Sequence, residues 1–264
     1  MVENLEAVRA PGLWKLALEA RAPWEFAAML AATPLLRRLP KGDGHPVIVF
    51  PGLGAADFST APLRNFLADR GYDAHPWRQG FNLGPREGVL EACLAQLRVL
   101  HYKHEQKVSL IGWSLGGIYA RELAKELPDL VRGVITLGSP FSGPPRATNA
   151  WRFFELVSGQ SAGDHELVDQ IKVAPRVPTT SIFSATDGVV AWQCSINPDM
   201  PHCENIEVMA SHIGMGMNPL ALSVIADRLA QPEGQWQRFD AQGVARWFAK
   251  PVAGPETHTP AVAA

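Results

Sequence analysis

Ser114 stands at the centre of Gly112-Trp113-Ser114-Leu115-Gly116-Gly117, directly after the apolar run Val108-Ser109-Leu110-Ile111 and before a stretch of helical periodicity. Strand, tight turn and helix in that order, with a hydroxyl at the apex, form an elbow that lifts a nucleophile off the end of a parallel sheet. The glycines two positions either side of the serine have a steric reason. They face each other, and a side chain on either would block the turn. The serine must take a positive φ, which costs a non-glycine residue roughly 1–3 kcal/mol and persists where function rewards it. A serine hydroxyl is a poor nucleophile at neutral pH. It needs a general base, and the base needs an acid to orient it.

In this arrangement the partners come later in the chain, acid before histidine, on loops at the carboxyl ends of strands. Asp187-Gly188 follows a predicted strand over 180–184, and His212, in Ala210-Ser211-His212-Ile213-Gly214, follows a predicted strand over 206–209. Competing residues are worse placed. His202 has no strand directly before it, His165 lies in an insertion, His101 and His104 end a helix, and His45 precedes the first strand. Asp164 and Asp169 fall in the same insertion, and Asp199 precedes a Met-Pro turn. Acyl transfer also needs donors for the developing oxyanion. These are the backbone N–H of Leu115 and that of Leu53, in Phe50-Pro51-Gly52-Leu53-Gly54. The second glycine-rich loop is not a dinucleotide loop, since Asp57 stands where that fingerprint needs Gly or Ala. No Gly-Lys-Ser/Thr follows, so it is not a phosphate loop either. The reading calls for no metal and no cofactor.

The elements that must position these groups alternate. Segments over 47–50, 72–77, 108–111, 131–137, 180–184 and 206–209 read as strands, the first fully apolar and covered on both faces. Helical patterns over 61–69, 87–104, 115–127 and 219–229 separate them; Val89, Leu90, Cys93, Leu94, Leu97 and Leu100 share one face of the second. Such alternation predicts a parallel, doubly wound sheet. Residues 1–45 form an N-terminal segment, with amphipathic helix predicted over 13–39 and Pro23 and Pro34 as starts or breaks. The catalytic unit spans 46–232, interrupted over 141–178 by an insertion too long for a plain connection. Residues 233–264 are an extension whose end, from Pro251 on, is expected to be disordered.

The chain resembles the bacterial lipases and esterases of the α/β-hydrolase superfamily over roughly residues 47–229. The resemblance rests on Phe-Pro-Gly-Leu-Gly (50–54), Gly-Trp-Ser-Leu-Gly-Gly (112–117), Leu-Gly-Ser-Pro-Phe (137–141), Ala-Thr-Asp-Gly-Val-Val (185–190) and Ser-His-Ile-Gly-Met (211–215). It implies a triad of Ser114, Asp187 and His212, with Leu53 and Leu115 as the oxyanion hole. Two departures stand out. Pro51 occupies the place of a histidine found in many lipases, and helix stands where the full superfamily sheet begins with two further strands. The expected fold is therefore α/β: a minimal, mostly parallel α/β-hydrolase sheet of about six strands, with helices on both faces and a short helical cap.

Composition narrows the partners. The formal net charge is −2 with no basic run, which gives no reason to expect nucleic acid. The first ten residues lack a basic n-region, and the apolar stretch over 26–36 is interrupted by Pro34 and falls short of the ~20 residues that span a bilayer. The expectation is a cytoplasmic protein, or a secreted one if a leader has been removed. The N-terminal helix is read as packed on the core in preference to docked weakly on a membrane. Cys194 and Cys203 bracket a turn-rich loop and could be bridged by a disulfide, which a reducing cytoplasm opposes.

The expected reaction is hydrolysis of short- to medium-chain acyl esters, the ligand being a small or lipid-like ester. Trp151 and Phe154 in the insertion, with Trp113 and Met215, are the candidate apolar pocket residues. Rival readings are an acyltransferase with the same triad and a non-catalytic binding protein on a hydrolase fold.

Overall fold

Six predicted segments become the parallel strands β1 (Pro46–Phe50), β2 (Asp73–Pro76), β3 (Val108–Trp113), β4 (Val131–Leu137), β5 (Thr179–Phe183) and β6 (Cys203–Val208). A seventh, β7 (Ala249–Val252), closes the sheet, whose order is β2-β1-β3-β4-β5-β6-β7. The computed structural model describes residues 7–159, 165–241 and 247–255. The helices are α1 (Leu13–Ala17), α2 (Ala22–Leu36), α3 (Ala61–Asp69), α4 (Val89–His104), α5 (Leu115–Glu126), α6 (Trp151–Ser158), α7 (His165–Lys172) and α8 (Pro219–Leu229).

Strands β1, β3 and β5 are buried along their whole length, as parallel strands covered on both faces must be. Alternate residues feed two cores. Val47, Val49, Ile111, Ile135 and Ile182 pack with α3 and α8, while Ile48, Phe50, Leu110 and Val134 pack with α4 and α5. On α4 the buried face is Val89, Cys93, Leu97 and Leu100, with Leu90 and Leu94 partly buried beside it, as the periodicity predicts. Because β1 and β3 to β6 run parallel, their carboxyl ends lie along one rim. The loops after β1, β3, β4, β5 and β6 therefore meet there.

Several expectations change. Strand β7 includes Pro251 and Val252, from the stretch expected to be disordered, and pairs antiparallel with β6. The packing explains it: Phe239 and Ala249 are buried in the α8-side core, and the Phe239 N–H donates to the buried Glu204 carboxylate on β6. Proline is tolerated because β7 is an edge strand. Residues 256–264 lie outside the described residues. Pro34 does not break α2, which runs on to Leu36; Leu30, the residue whose carbonyl proline leaves without a donor, is at the exposed surface. Nor is α2 cleanly amphipathic. Met29 and Ala32 pack on the core, yet Trp24, Leu30 and Leu35 are exposed. No helix among the described residues is long and apolar enough to cross a membrane.

Cys194 and Cys203, which the sequence left open to bridging, are buried free thiols. Cys194 lies against Gly143 in a small cluster with Ala147, Val190 and Ala191, while Cys203 opens β6. Burial pushes the Cys194 thiol up to about 12 and the Cys203 thiol to about 11, so both stay protonated and unreactive at neutral pH. Denatured, unreduced protein is expected to titrate three thiols with a disulfide-exchange reagent, one for each cysteine in the chain. A count of one would restore the bridge.

Candidate active site

Ser114 occupies the turn between β3 and α5 with φ 52° and ψ −122°. The turn closes because two glycines approach as the sequence demands. A Cβ on Gly112 would lie 2.3 Å from the Gly116 carbonyl oxygen, and one on Gly116 would lie 2.4 Å from the Phe50 carbonyl oxygen. The Ser114 N–H donates to Leu137 O at 2.8 Å, tying the elbow to the end of β4.

The residue after Leu137 leads to the other two candidates. Gly138, at φ +55°, lies so close to the Asp187–His212 pair that a Cβ there would sit 3.0 Å from both Asp187 Oδ2 and His212 Nδ1. His212 Nδ1–H donates to Asp187 Oδ2 at 2.7 Å, and both side chains are buried. Asp187 Oδ1 is held in turn by the N–H groups of Val189 and Val190, each at 2.8 Å. The Trp113 indole N–H donates to the His212 carbonyl at 2.9 Å, so the residue before the serine fixes the backbone of the histidine. Burial pulls the His212 imidazolium down. The Asp187 charge and hydrogen bond, helped by the charge of Glu19, outweigh it and hold His212 above the ordinary histidine value.

Ser114, Leu53 and Leu115 line one cleft of about 390 Å³, walled by Ile118, Phe141, Trp151, Phe154, Ile171 and Val190. Neither the Leu53 nor the Leu115 N–H donates to an acceptor among the described residues. Of the four candidate pocket residues, Trp151 and Phe154 are in the wall of the cleft. Trp113 and Met215 are not: both are buried in the α8-side core beneath the histidine loop, because β3 turns Trp113 to the opposite face of the sheet from α5.

The sequence matches the profile of the alpha/beta hydrolase fold family over residues 34–156. Solved structures agree across more of the chain. Aspergillus fumigatus lipase B is 20% identical with a TM-score of 0.57, over 75% of this chain and 56% of its own, so the chain spans little more than half of that protein. A Bacillus licheniformis lipase gives 17% identity and a TM-score of 0.54, over 74% of this chain and 95% of its own. Paleococcus ferrophilus monoacylglycerol lipase gives 14% and 0.52, over 73% and 96%. No curated protein sequence matches significantly. The chain has the α/β-hydrolase fold.

A hydrolase fold needs its two late loops held together, and here the N-terminal segment does so through residues that carry no sequence signal. Glu19, between α1 and α2, is 6% exposed. Its carboxylate accepts from the N–H groups of Gly188 (2.8 Å), His212 (3.0 Å) and Ile213 (2.9 Å), bridging the acid and histidine loops. Glu25 accepts from the Ser211 N–H at 2.7 Å and from its hydroxyl, and Arg21 donates to Thr186 Oγ1 and Ala210 O. On the opposite side, Asn82 accepts from the Gly54 N–H through its backbone carbonyl and donates its side-chain amide to Pro51 O, both at 2.7 Å, fixing the Leu53 loop. A glutamate in a helical stretch reads as a solvated face, and nothing in its spacing marks it as buried.

A second Ser–His–Asp arrangement lies at the other end of β3. His45 Nε2 is 2.8 Å from Ser109 Oγ, and its Nδ1 meets Asp43 Oδ1. Its setting is not that of a nucleophile. Ser109 is 4% exposed within β3, the adjoining cavity is about 50 Å³, and its backbone lacks the positive φ of Ser114. Burial, reinforced by Arg132 and opposed by Asp43, holds His45 below its ordinary value. This cluster is a polar plug under the sheet.

Truncating Glu19 strands three backbone donors. Glu19→Ala is expected to lower unfolding free energy by about 2–4 kcal/mol in urea titration. A loss within about 0.5 kcal/mol would mean that water replaces the carboxylate freely.

Proposed function

We propose that the protein is a serine carboxylic ester hydrolase, cleaving short- to medium-chain acyl esters through Ser114, His212 and Asp187. One observation carries the reading. The Ser114 N–H is bonded to Leu137 O, the next residue abuts the hydrogen-bonded His212–Asp187 pair, and the serine opens on an apolar cleft.

In the first half-reaction His212 Nε2 takes the Ser114 proton as Oγ attacks the ester carbonyl. The Leu53 and Leu115 N–H groups donate to the developing oxyanion. Asp187 Oδ2 holds the Nδ1–H tautomer and stabilises the imidazolium. His212 then protonates the leaving alcohol. In the second half-reaction water loses its proton to His212, attacks the acyl-enzyme and frees the acid, restoring the serine. The apolar walls favour an acyl chain over sugars or charged acids, and about 390 Å³ lies near the small end of ligand clefts. Lipases among the structural neighbours agree with an ester substrate.

Ser114→Ala is expected to reduce p-nitrophenyl butyrate hydrolysis to the uncatalysed rate while leaving thermal unfolding within a few degrees of wild type; retained turnover would reject the nucleophile. In an acyl series, kcat/KM is expected to peak at short to medium chains, and a maximum on emulsified long-chain triglyceride would overturn that part. The pH profile has a definite sign. A general base works unprotonated, and His212 is held above 6.5, so kcat/KM should rise with pH through a midpoint above 6.5. Glu19 contributes to that elevation, so Glu19→Gln should move the midpoint down. An unmoved midpoint would remove Glu19 from the electrostatics of the site.

A further inference from the structure

Asp73, His75 and His104 form a cluster that the proposed hydrolysis does not use, at the opposite end of the sheet from Ser114. Asp73 and His75 are the first and third residues of the edge strand β2, so their side chains share a face. His104 is the last residue of α4, which packs on that side of the sheet. Asp73 Oδ2 is 2.9 Å from His75 Nε2 and 2.9 Å from His104 Nε2. At that separation a hydrogen bond is the ordinary expectation, yet neither ring nitrogen makes one with any partner among the described residues, although both atoms are buried. The distance is right and the direction is wrong. Both nitrogens are aimed off the line to the carboxylate oxygen, as ligands directed at a shared centre are.

We propose that these three side chains bind a divalent transition-metal ion, of which Zn²⁺ fits the donor set best. Two imidazole nitrogens and one carboxylate oxygen make a borderline set that suits Zn²⁺ over Ca²⁺ or Mg²⁺, which take oxygen ligands. The three ligand atoms lie within 4.8 Å of one another. Bonds of ~2.0–2.2 Å in tetrahedral geometry put ligand atoms roughly 3.3 Å apart, so each Asp73–histidine separation has to lengthen by only a few tenths of an ångström. Asp73, the most exposed of the three and at the start of an edge strand, can make that shift. The carboxyl end of α4 adds the negative pole of its helix dipole, which favours a cation there. A fourth position is left for water. The ion would staple the end of α4 to β2, a strand of four residues at the sheet margin.

Isothermal titration of Zn²⁺ into the chelator-stripped full chain tests this. The expected result is one equivalent per chain with a raised Tm. The double variant His75→Ala/His104→Ala should bind about 100-fold more weakly or not at all, while His101→Ala, on the same helix, binds as wild type. Should the double variant fail to fold, His104→Gln serves in its place with at least a ~10-fold loss. Co²⁺ should give the intense visible bands of a tetrahedral site, lost with His104. No stoichiometric binding, or binding that survives removal of these histidines, overturns the proposal.

Discussion

A serine can stand at positive φ between β3 and α5 only because the backbone on either side of it comes within touching distance. Gly112 and Gly116 leave no room for a methyl group, and Gly116 is in turn pressed against the Phe50–Pro51 peptide at the end of β1. The approach does more than shape a turn. It brings the start of α5, with the Leu115 N–H, beside the loop that carries the Leu53 N–H, so both donors open on one cleft with the hydroxyl. The strain at Ser114 is sustained by the sheet, in which β3 is paired with β1 as far as Gly112 and with β4 as far as Trp113.

The rest of the site is held from outside the motifs. The loops after β5 and β6 carry Asp187 and His212, and loops are free to drift apart unless something spans them. Glu19 spans them with one carboxylate, and Glu25 and Arg21 bind the neighbouring backbone of the same loops. The N-terminal segment, whose described residues contribute no strand, thereby works as a buckle on that rim of the sheet. Its charge also bears on the chemistry, since Glu19 adds to the field that favours a protonated His212.

Two Ser–His–Asp arrangements on one strand show what residue identity leaves open. Ser109 with His45 and Asp43 has the right atoms within hydrogen-bond range, but its serine is buried inside β3, between β1 and β4, with almost no space beside it. Ser114 differs in backbone conformation and in what it faces, not in chemistry.

The six parallel strands, the helices between them and the elbow were legible because each rests on local rules: apolar runs, 3.6-residue periodicity and glycine at a tight turn. The meeting of the loops after β5 and β6, which bonds His212 to Asp187, was legible too, since topology puts strand ends on one rim. Other features were decided only by tertiary contact. Strand β7 has no alternation of its own and exists because β6 offers an open edge and Phe239 a place in the core. Trp113 and Met215 fell in the core instead of the cleft because the facing of a strand residue depends on which helices cover each side. Glu19, Asn82 and the Asp73–His75–His104 cluster bring together atoms far apart in the chain, and no short window of sequence holds that distance information.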